Sequence, residues 1–212
     1  MAQGDQEIEV KFYVRDLGAL EERLKAQGAA LEAERVHEVN LRFDLAGFAL
    51  REAGQVLRLR RDTKNVVTYK GPVRGGDAMA RQEIEYQVDD FEAARRVFEA
   101  LGYQVMVMYE KFRTTYRLGE VLVTLDEMPY GSFAEIEDAG SDDFESAAAS
   151  IRAAARALGL DWEARITSSY LAIFDSLRSR SGLRAKNLSF DELRGAAVGP
   201  EELRLRYADA KL

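Results

Sequence analysis

The chain has 212 residues, with 30 Lys plus Arg against 37 Asp plus Glu, a formal net charge of −7, one His and no Cys. Hydrophobic residues make up 47% and charged residues 32%, which excludes wholesale disorder, disulfides, zinc ribbons, thiol nucleophiles and multi-His metal sites. The acidic balance argues against nucleic acid as a partner, no run approaches ~18 apolar residues, and Met1–Gln6 lacks the regions of a signal peptide, so a cytoplasmic protein off the membrane is expected.

Residues 6–15 alternate with period 2 and predict a strand. Residues 16–28 predict a helix, with Asp16 as N-cap, Leu17, Leu20 and Leu24 on one side, and Gly28 at the end. Strands are expected next at 34–44, 55–62, 65–71 and 80–89. Gly71–Gly76 lacks the ending of a phosphate-binding glycine loop and reads as a hairpin connection. Residues 90–101 repeat the first helix's device, from Asp90 through Phe91, Ala94, Val97, Phe98 and Leu101 to Gly102. Strands at 104–117, 120–127 and 132–138 precede an Ala-rich helix at 142–158 and a short helix at 168–178. Glu7-Ile-Glu-Val-Lys and Glu83-Ile-Glu-Tyr-Gln each open a strand-helix unit, which suggests two related halves of one sheet-rich domain. The tail from Arg178 begins basic and is open between a packed extension and a loose arm.

Residues i and i+2 of a strand share a face. Glu7, Glu9 and Lys11 therefore lie opposite Ile8, Val10 and Phe12. The same parity joins Arg58 with Arg60, Arg81 with Glu83 and Glu85, Lys111 with Arg113, and Glu135 with Glu137. Lys70 and Asp126 add charges near strand ends. One reading is an ordinary amphipathic sheet with cross-strand ion pairs facing water. The near-exclusive use of Glu with Arg and Lys favours another, in which about eight strands close into a barrel with charged faces inside. Such a channel suits a polyphosphate, with Arg and Lys on phosphate oxygens and carboxylates on Mg²⁺ or Mn²⁺.

The order of motifs resembles one known family. Glu7-x-Glu9-x-Lys11 is followed by Asn40-Leu-Arg-Phe-Asp44, Leu57-Arg-Leu-Arg-Arg61, Thr68-Tyr-Lys-Gly-Pro72 and Arg81-Gln-Glu-Ile-Glu85. Then come Glu110-Lys-Phe-Arg113, Val123-Thr-Leu-Asp-Glu127, Gly131-Ser-Phe-Ala-Glu-Ile-Glu137 and Ser168-Ser-Tyr-Leu171. Over residues 6–177 this resembles the CYTH superfamily, the triphosphate tunnel metalloenzymes, and most of all its class IV adenylyl cyclase branch. The resemblance implies an α+β fold: a closed eight-stranded antiparallel β-barrel with helices outside, spanning 1–177, and a C-terminal extension at 178–212. It implies that Lys11, Arg58, Arg60, Lys70, Arg81, Lys111 and Arg113 grip a triphosphate, and that Glu7, Glu9, Asp126, Glu135 and Glu137 hold Mg²⁺ or Mn²⁺. Lys11, Glu83 and Glu85 are the catalytic candidates, the two glutamates as metal ligands, as orienters of a basic residue or as positioners of the nucleophile. Family members often carry Asp where Asn40 stands, while Asp44 matches.

The activities implied are conversion of ATP to cAMP and pyrophosphate, hydrolysis of tripolyphosphate or thiamine triphosphate, or non-catalytic binding of nucleotide or polyphosphate. The expected partner is a small-molecule triphosphate, and a homodimer follows only from general frequency. His37 reads as a surface or rim residue, Trp162 as packing, Tyr170 as packing or a contact at the tunnel mouth, and Met106 and Met108 as core filler.

Overall fold

The computed structural model describes residues 6–72, 79–138, 144–181 and 183–194, with the side chains of residues 6, 7, 79–81, 180 and 181 excepted. Eight strands form: β1 (Gln6–Tyr13), β2 (Ala30–Asp44), β3 (Val56–Arg61), β4 (Asn65–Lys70), β5 (Met79–Gln87), β6 (Gln104–Leu118), β7 (Val121–Met128) and β8 (Gly131–Asp138). Helices α1 (Leu17–Ala26), α2 (Ala49–Glu52), α3 (Phe91–Ala100), α4 (Phe144–Ala157) and α5 (Tyr170–Ser181) lie between and after them. The expected hairpin connection falls mostly in 73–78, outside the described residues.

Every strand pairing is antiparallel, and the order β1-β5-β4-β3-β2-β6-β7-β8 returns on itself as a closed barrel. Exchanging β1–β4 with β5–β8 reproduces that circular order, so the echo between Glu7–Lys11 and Glu83–Gln87 is an echo of topology. Each half opens with a strand, a helix and a long strand, and the two long strands β2 and β6 pair with each other.

Local chemistry explains the helices. Asp16 and Asp90 are extended N-caps whose carboxylates accept from Ala19 N and Ala93 N, each at 2.9 Å. Gly28 and Gly102 follow the helix ends at φ 77 and 93, a conformation that costs glycine little. One short helix, α2, was not expected. Buried Asp44 explains it by accepting from the backbone N–H of Leu45, Leu50 and Arg51 at 2.8, 2.9 and 3.0 Å. That carboxylate organises a loop.

The apolar layers sit outside the barrel. Val10, Phe12, Val123, Leu125 and Ile136 pack against Leu20 and Leu24 of α1, Ile151 of α4 and Leu158 just after it. Leu20 and Leu24 are fully buried, each contributing about 1.5–3 kcal/mol. A second layer packs Phe91, Ala94 and Phe98 of α3 on Leu41, Phe43, Leu59 and Val67, and Met108 adds to it from the side. Trp162 packs in the first layer, with its ring 6.4 Å from Phe12 and the Arg152 guanidinium 4.6 Å from its centre.

The C-terminal segment closes one end of the barrel. It enters beside β1, where Ile166 N donates to Lys11 O at 2.7 Å. It leaves beside β6, where Leu188 bridges in parallel to Tyr109 and is fully buried. Between these points α5 lays Tyr170, Ile173, Phe174 and Leu177 on Met128, Tyr130 and Phe133 at the β7–β8 turn. The expected boundary at 177/178 falls inside α5, and residues 183–194 pack on β6 instead of trailing as an arm. Residues 195–212 lie outside the described part.

Candidate functional site

The strand pleat turns one parity of every strand inward, and this parity is the charged one. Lys11, Arg42, Arg58, Arg60, Lys70, Lys111 and Arg113 line a cavity of about 530 Å³, together with Glu9, Glu83, Glu85, Glu135 and Glu137. Tyr109 and Tyr170 add hydroxyls, and Val56, Ile84 and Leu171 supply apolar wall. The side chains of Glu7 and Arg81 are outside the described set, but their backbones pair in register between β1 and β5. Of the other expected site residues, all but Asp126 stand on this wall.

The ion pairs divide into two groups. On β1, β6, β7 and β8, Lys11 Nζ lies 2.6 Å from Glu135 and 3.9 Å from Glu9. Arg113 grips both oxygens of Asp126 at 2.6 Å and also reaches Glu135. On β3, β4 and β5, Lys70 lies 2.9 Å from Glu83, and Arg58 lies 3.2 Å from Glu85. Thr68 Oγ1 donates to the same Glu85 oxygen at 2.5 Å. Glu83 and Glu85 therefore orient Lys70 and Arg58, one of the roles open for them from sequence.

Asp126, for which the resemblance implied a metal role, has a fully buried carboxylate that accepts from Arg113, from Lys111 Nζ at 2.9 Å and from Tyr170 Oη at 2.7 Å. Tyr170 covers it from the lumen side, so it positions cations. Of the wall carboxylates, Glu9 and Glu137 are directly opposed on β1 and β8, with Glu135 two residues along. Among the described residues no three His, Cys, Asp or Glu side chains converge on one point. An opposed pair of carboxylates suits a hard divalent ion that completes its sphere with phosphate oxygens and water.

Sequence reasoning did not assign Arg42, Tyr109, Tyr170, Glu38 or Asn40 to the site. Arg42 and Tyr109 line the wall, and Glu38 and Asn40 stand behind it. Glu38, Asn40 and Arg42 alternate with Val39, Leu41 and Phe43, so the period-2 rule applied to β2 would have found them. Asn40 is fully buried opposite Tyr109 and Arg60, and its amide atoms make no hydrogen bond among the described residues. His37 lies on the outer face, 2.8 Å from Glu110, as a surface residue.

The cation ring sets the protonation states. Burial acts to lower the Lys11 pKa, but Glu135 and Glu9 hold it above its ordinary value, so Lys11 is a fixed cation. Burial acts to raise the Tyr109 pKa, yet Arg58, Arg42 and Lys111 bring it below 10.0. Burial likewise opposes ionisation of Glu38, but Lys111, Arg113, Arg60 and Arg58 lower it to about 2. Glu135 is driven well below the ordinary carboxyl value, burial being overcome by Lys11, Arg113 and Lys111.

Both carboxylates thus stabilise the fold above their unfolded pKa of 4.5, and that contribution is lost as pH falls toward their folded values. For Glu38, a change from 4.5 to about 2 corresponds to about 3 kcal/mol. Urea-unfolding free energy is expected to hold steady from pH 7 to 5 and to fall by at least about 3 kcal/mol below pH 4.5. Glu38→Gln should remove the Glu38 share of that fall, and an identical acid profile in the variant would refute the assignment.

The CYTH domain profile matches residues 5–170, most of the chain. The chain belongs to the CYTH family. An archaeal CYTH relative, MJ0240 of Methanocaldococcus jannaschii, provisionally named an adenylate cyclase, is 30% identical over 138 residues, covering 64% of this chain and 78% of its own. A solved structure from Vibrio parahaemolyticus, with a similar provisional name, is 25% identical at TM-score 0.73, covering 82% of this chain and 99% of its own. HpAC1 from Hippeastrum shares the fold at 20% identity and TM-score 0.59, over 80% of this chain and 95% of its own. It is described as an adenylyl cyclase candidate with a dominant triphosphatase activity. Among the described CYTH residues, no helix is long and apolar enough to cross a membrane.

Proposed function

We propose that this CYTH protein is an Mg²⁺- or Mn²⁺-dependent enzyme that processes a small-molecule triphosphate inside its barrel. One observation carries the reading: among the described residues seven cations and five carboxylates face one cavity, in a protein whose net charge is −7. A site for anions alone gains little from the carboxylates. A site for a metal-bound polyphosphate uses both signs. The fit follows from exchange of partners. Lys11, Lys70, Arg58 and Arg113 are now neutralised by protein carboxylates, and phosphate oxygens would take over those cations while Glu9, Glu137 and Glu135 turn to the metal. When bound, the divalent ion supplies charge neutralisation at the phosphates.

The chain's own residues do the rest. The Arg and Lys ring binds and aligns the phosphates, with Arg58 and Arg113 offering two-pronged contacts. Glu83 and Glu85 hold Lys70 and Arg58 in place. Lys11, kept protonated by its carboxylates, offsets charge on a phosphate oxygen and does not serve as a base. Tyr109 is a wall hydroxyl whose pKa Arg58, Arg42 and Lys111 lower against the opposing effect of burial.

The first reading of the reaction is cyclisation, in which the ribose 3′-hydroxyl of ATP attacks the α-phosphate and pyrophosphate leaves. The provisional adenylate cyclase names of the two relatives support it. The second is hydrolysis of tripolyphosphate or thiamine triphosphate. It is favoured by the scarcity of apolar wall for a base among the described residues, Val56, Ile84 and Leu171 beside the two tyrosines. The test supplies ATP, tripolyphosphate and thiamine triphosphate with Mg²⁺ or Mn²⁺ and resolves cAMP, pyrophosphate and phosphate. cAMP with equimolar pyrophosphate is the expected result. Phosphate without cAMP would replace cyclase with triphosphatase, and no turnover of any of the three would overturn the enzyme reading.

A further inference from the structure

We infer that Tyr170, the first residue of α5, is a positioning residue that sets the geometry of the phosphate-binding cations, so that the C-terminal cap tunes triphosphate affinity. This rests on the proposed function. Tyr170 meets the site in three ways. Its ring centre lies 4.5 Å from Lys11 Nζ and 5.3 Å from Lys111 Nζ, two ammonium groups from opposite sides of the β7–β8 pair. Its hydroxyl donates to Asp126 Oδ2 at 2.7 Å, the carboxylate that also holds Lys111 and Arg113. Its own placement is rigid, because Tyr130 Oη donates to Tyr170 O at 3.0 Å and the Phe133 ring packs edge-on at 5.2 Å.

Three cations are therefore arranged around one aromatic side chain that belongs to the cap and not to the barrel. The ring's negative face attracts ammonium groups most strongly when both are desolvated, as here, where Lys11, Lys111 and Tyr170 are all buried. The hydroxyl keeps Asp126 turned toward Lys111 and Arg113. Without the ring, the two lysines would keep their carboxylate partners but lose the shared surface that fixes their separation. A phosphate chain bridging them would then bind a looser pair.

The test compares wild type, Tyr170→Phe, Tyr170→Leu and Leu177→Ala. Leu177 packs in the same cap against the same cluster but does not line the cavity, so Leu177→Ala loosens the cap without touching the cations. Thermal midpoints of all four are recorded with steady-state kinetics on whichever triphosphate the wild type turns over. Tyr170→Leu is expected to raise KM about tenfold and Tyr170→Phe about threefold, with kcat within about twofold, reflecting loss of the cation contacts and of the hydroxyl respectively. Leu177→Ala should lower the midpoint and leave KM unchanged. KM rising equally in Leu177→Ala and Tyr170→Leu would reduce Tyr170 to packing, and an unchanged KM in Tyr170→Leu would refute the inference outright. A wild type with neither turnover nor thermal stabilisation by tripolyphosphate would instead defeat the functional reading, and this inference with it.

Discussion

Glu9→Gln is expected to lower metal-dependent turnover of a triphosphate by at least about a hundredfold while leaving the fold intact, since changes even one shell out from a metal cost about 10–100-fold. Glu9 lies directly opposite Glu137 across the β1–β8 pairing, and both line the wall. Glutamine keeps the volume and one oxygen but loses the charge, and a hard cation depends on that charge. Lys11, 3.9 Å from Glu9, retains Glu135 at 2.6 Å as its main partner, so barrel stability should change little. The measurement is kcat/KM against Mn²⁺ concentration, with metal-free tripolyphosphate binding as a control. A variant whose half-saturating metal concentration matches wild type would remove Glu9 from the metal set.

The second large effect is expected at Arg113. Its guanidinium donates to both oxygens of Asp126 and to Glu135, joining β6 to β7 and β8 inside the barrel. Asp126 is fully buried. Arg113→Ala leaves it and Glu135 short of one cation, and breaking a buried ion pair from one side costs about 3–5 kcal/mol. Arg113→Lys restores the charge but not the two-pronged geometry, so it should recover part of that loss. Urea denaturation at pH 7 measures both, and triphosphate affinity should fall in the same order. A change in unfolding free energy below about 1 kcal/mol for Arg113→Ala would show that the network is no more than a surface pair in effect.

Much of the site was legible because strand parity is local. Glu9 and Lys11, Arg58 and Arg60, Lys111 and Arg113, and Glu135 and Glu137 were paired from spacing alone, and each pair faces the cavity. The capped helices α1 and α3 were legible for the same reason, since Asp16 and Asp90 bond residues three positions away. Arg42 and Tyr109 obey the same parity and were passed over, because Tyr109 carries no formal charge and Arg42 was noted only within the Asn40–Asp44 motif. α2 escaped because its organiser, Asp44, is bound to residues up to seven positions away through a loop with no periodicity.

Asp126 and Tyr170 show the other limit. Spacing marked Asp126 only as a charge near a strand end and could say nothing of what occupies the space around it. Tyr170 sits 44 residues away in sequence, and only the path of the chain over the β7–β8 turn brings its hydroxyl to that carboxylate. The charge at alternating positions determined by itself which side chains share a face, since a strand cannot turn two neighbours to one face, and closure of the barrel turned that face inward. Tertiary structure alone decided which interior groups remain open to a ligand and which are consumed in holding the others. That depends on contacts between elements far apart in the chain, and the closing of the barrel by α5 is what makes them.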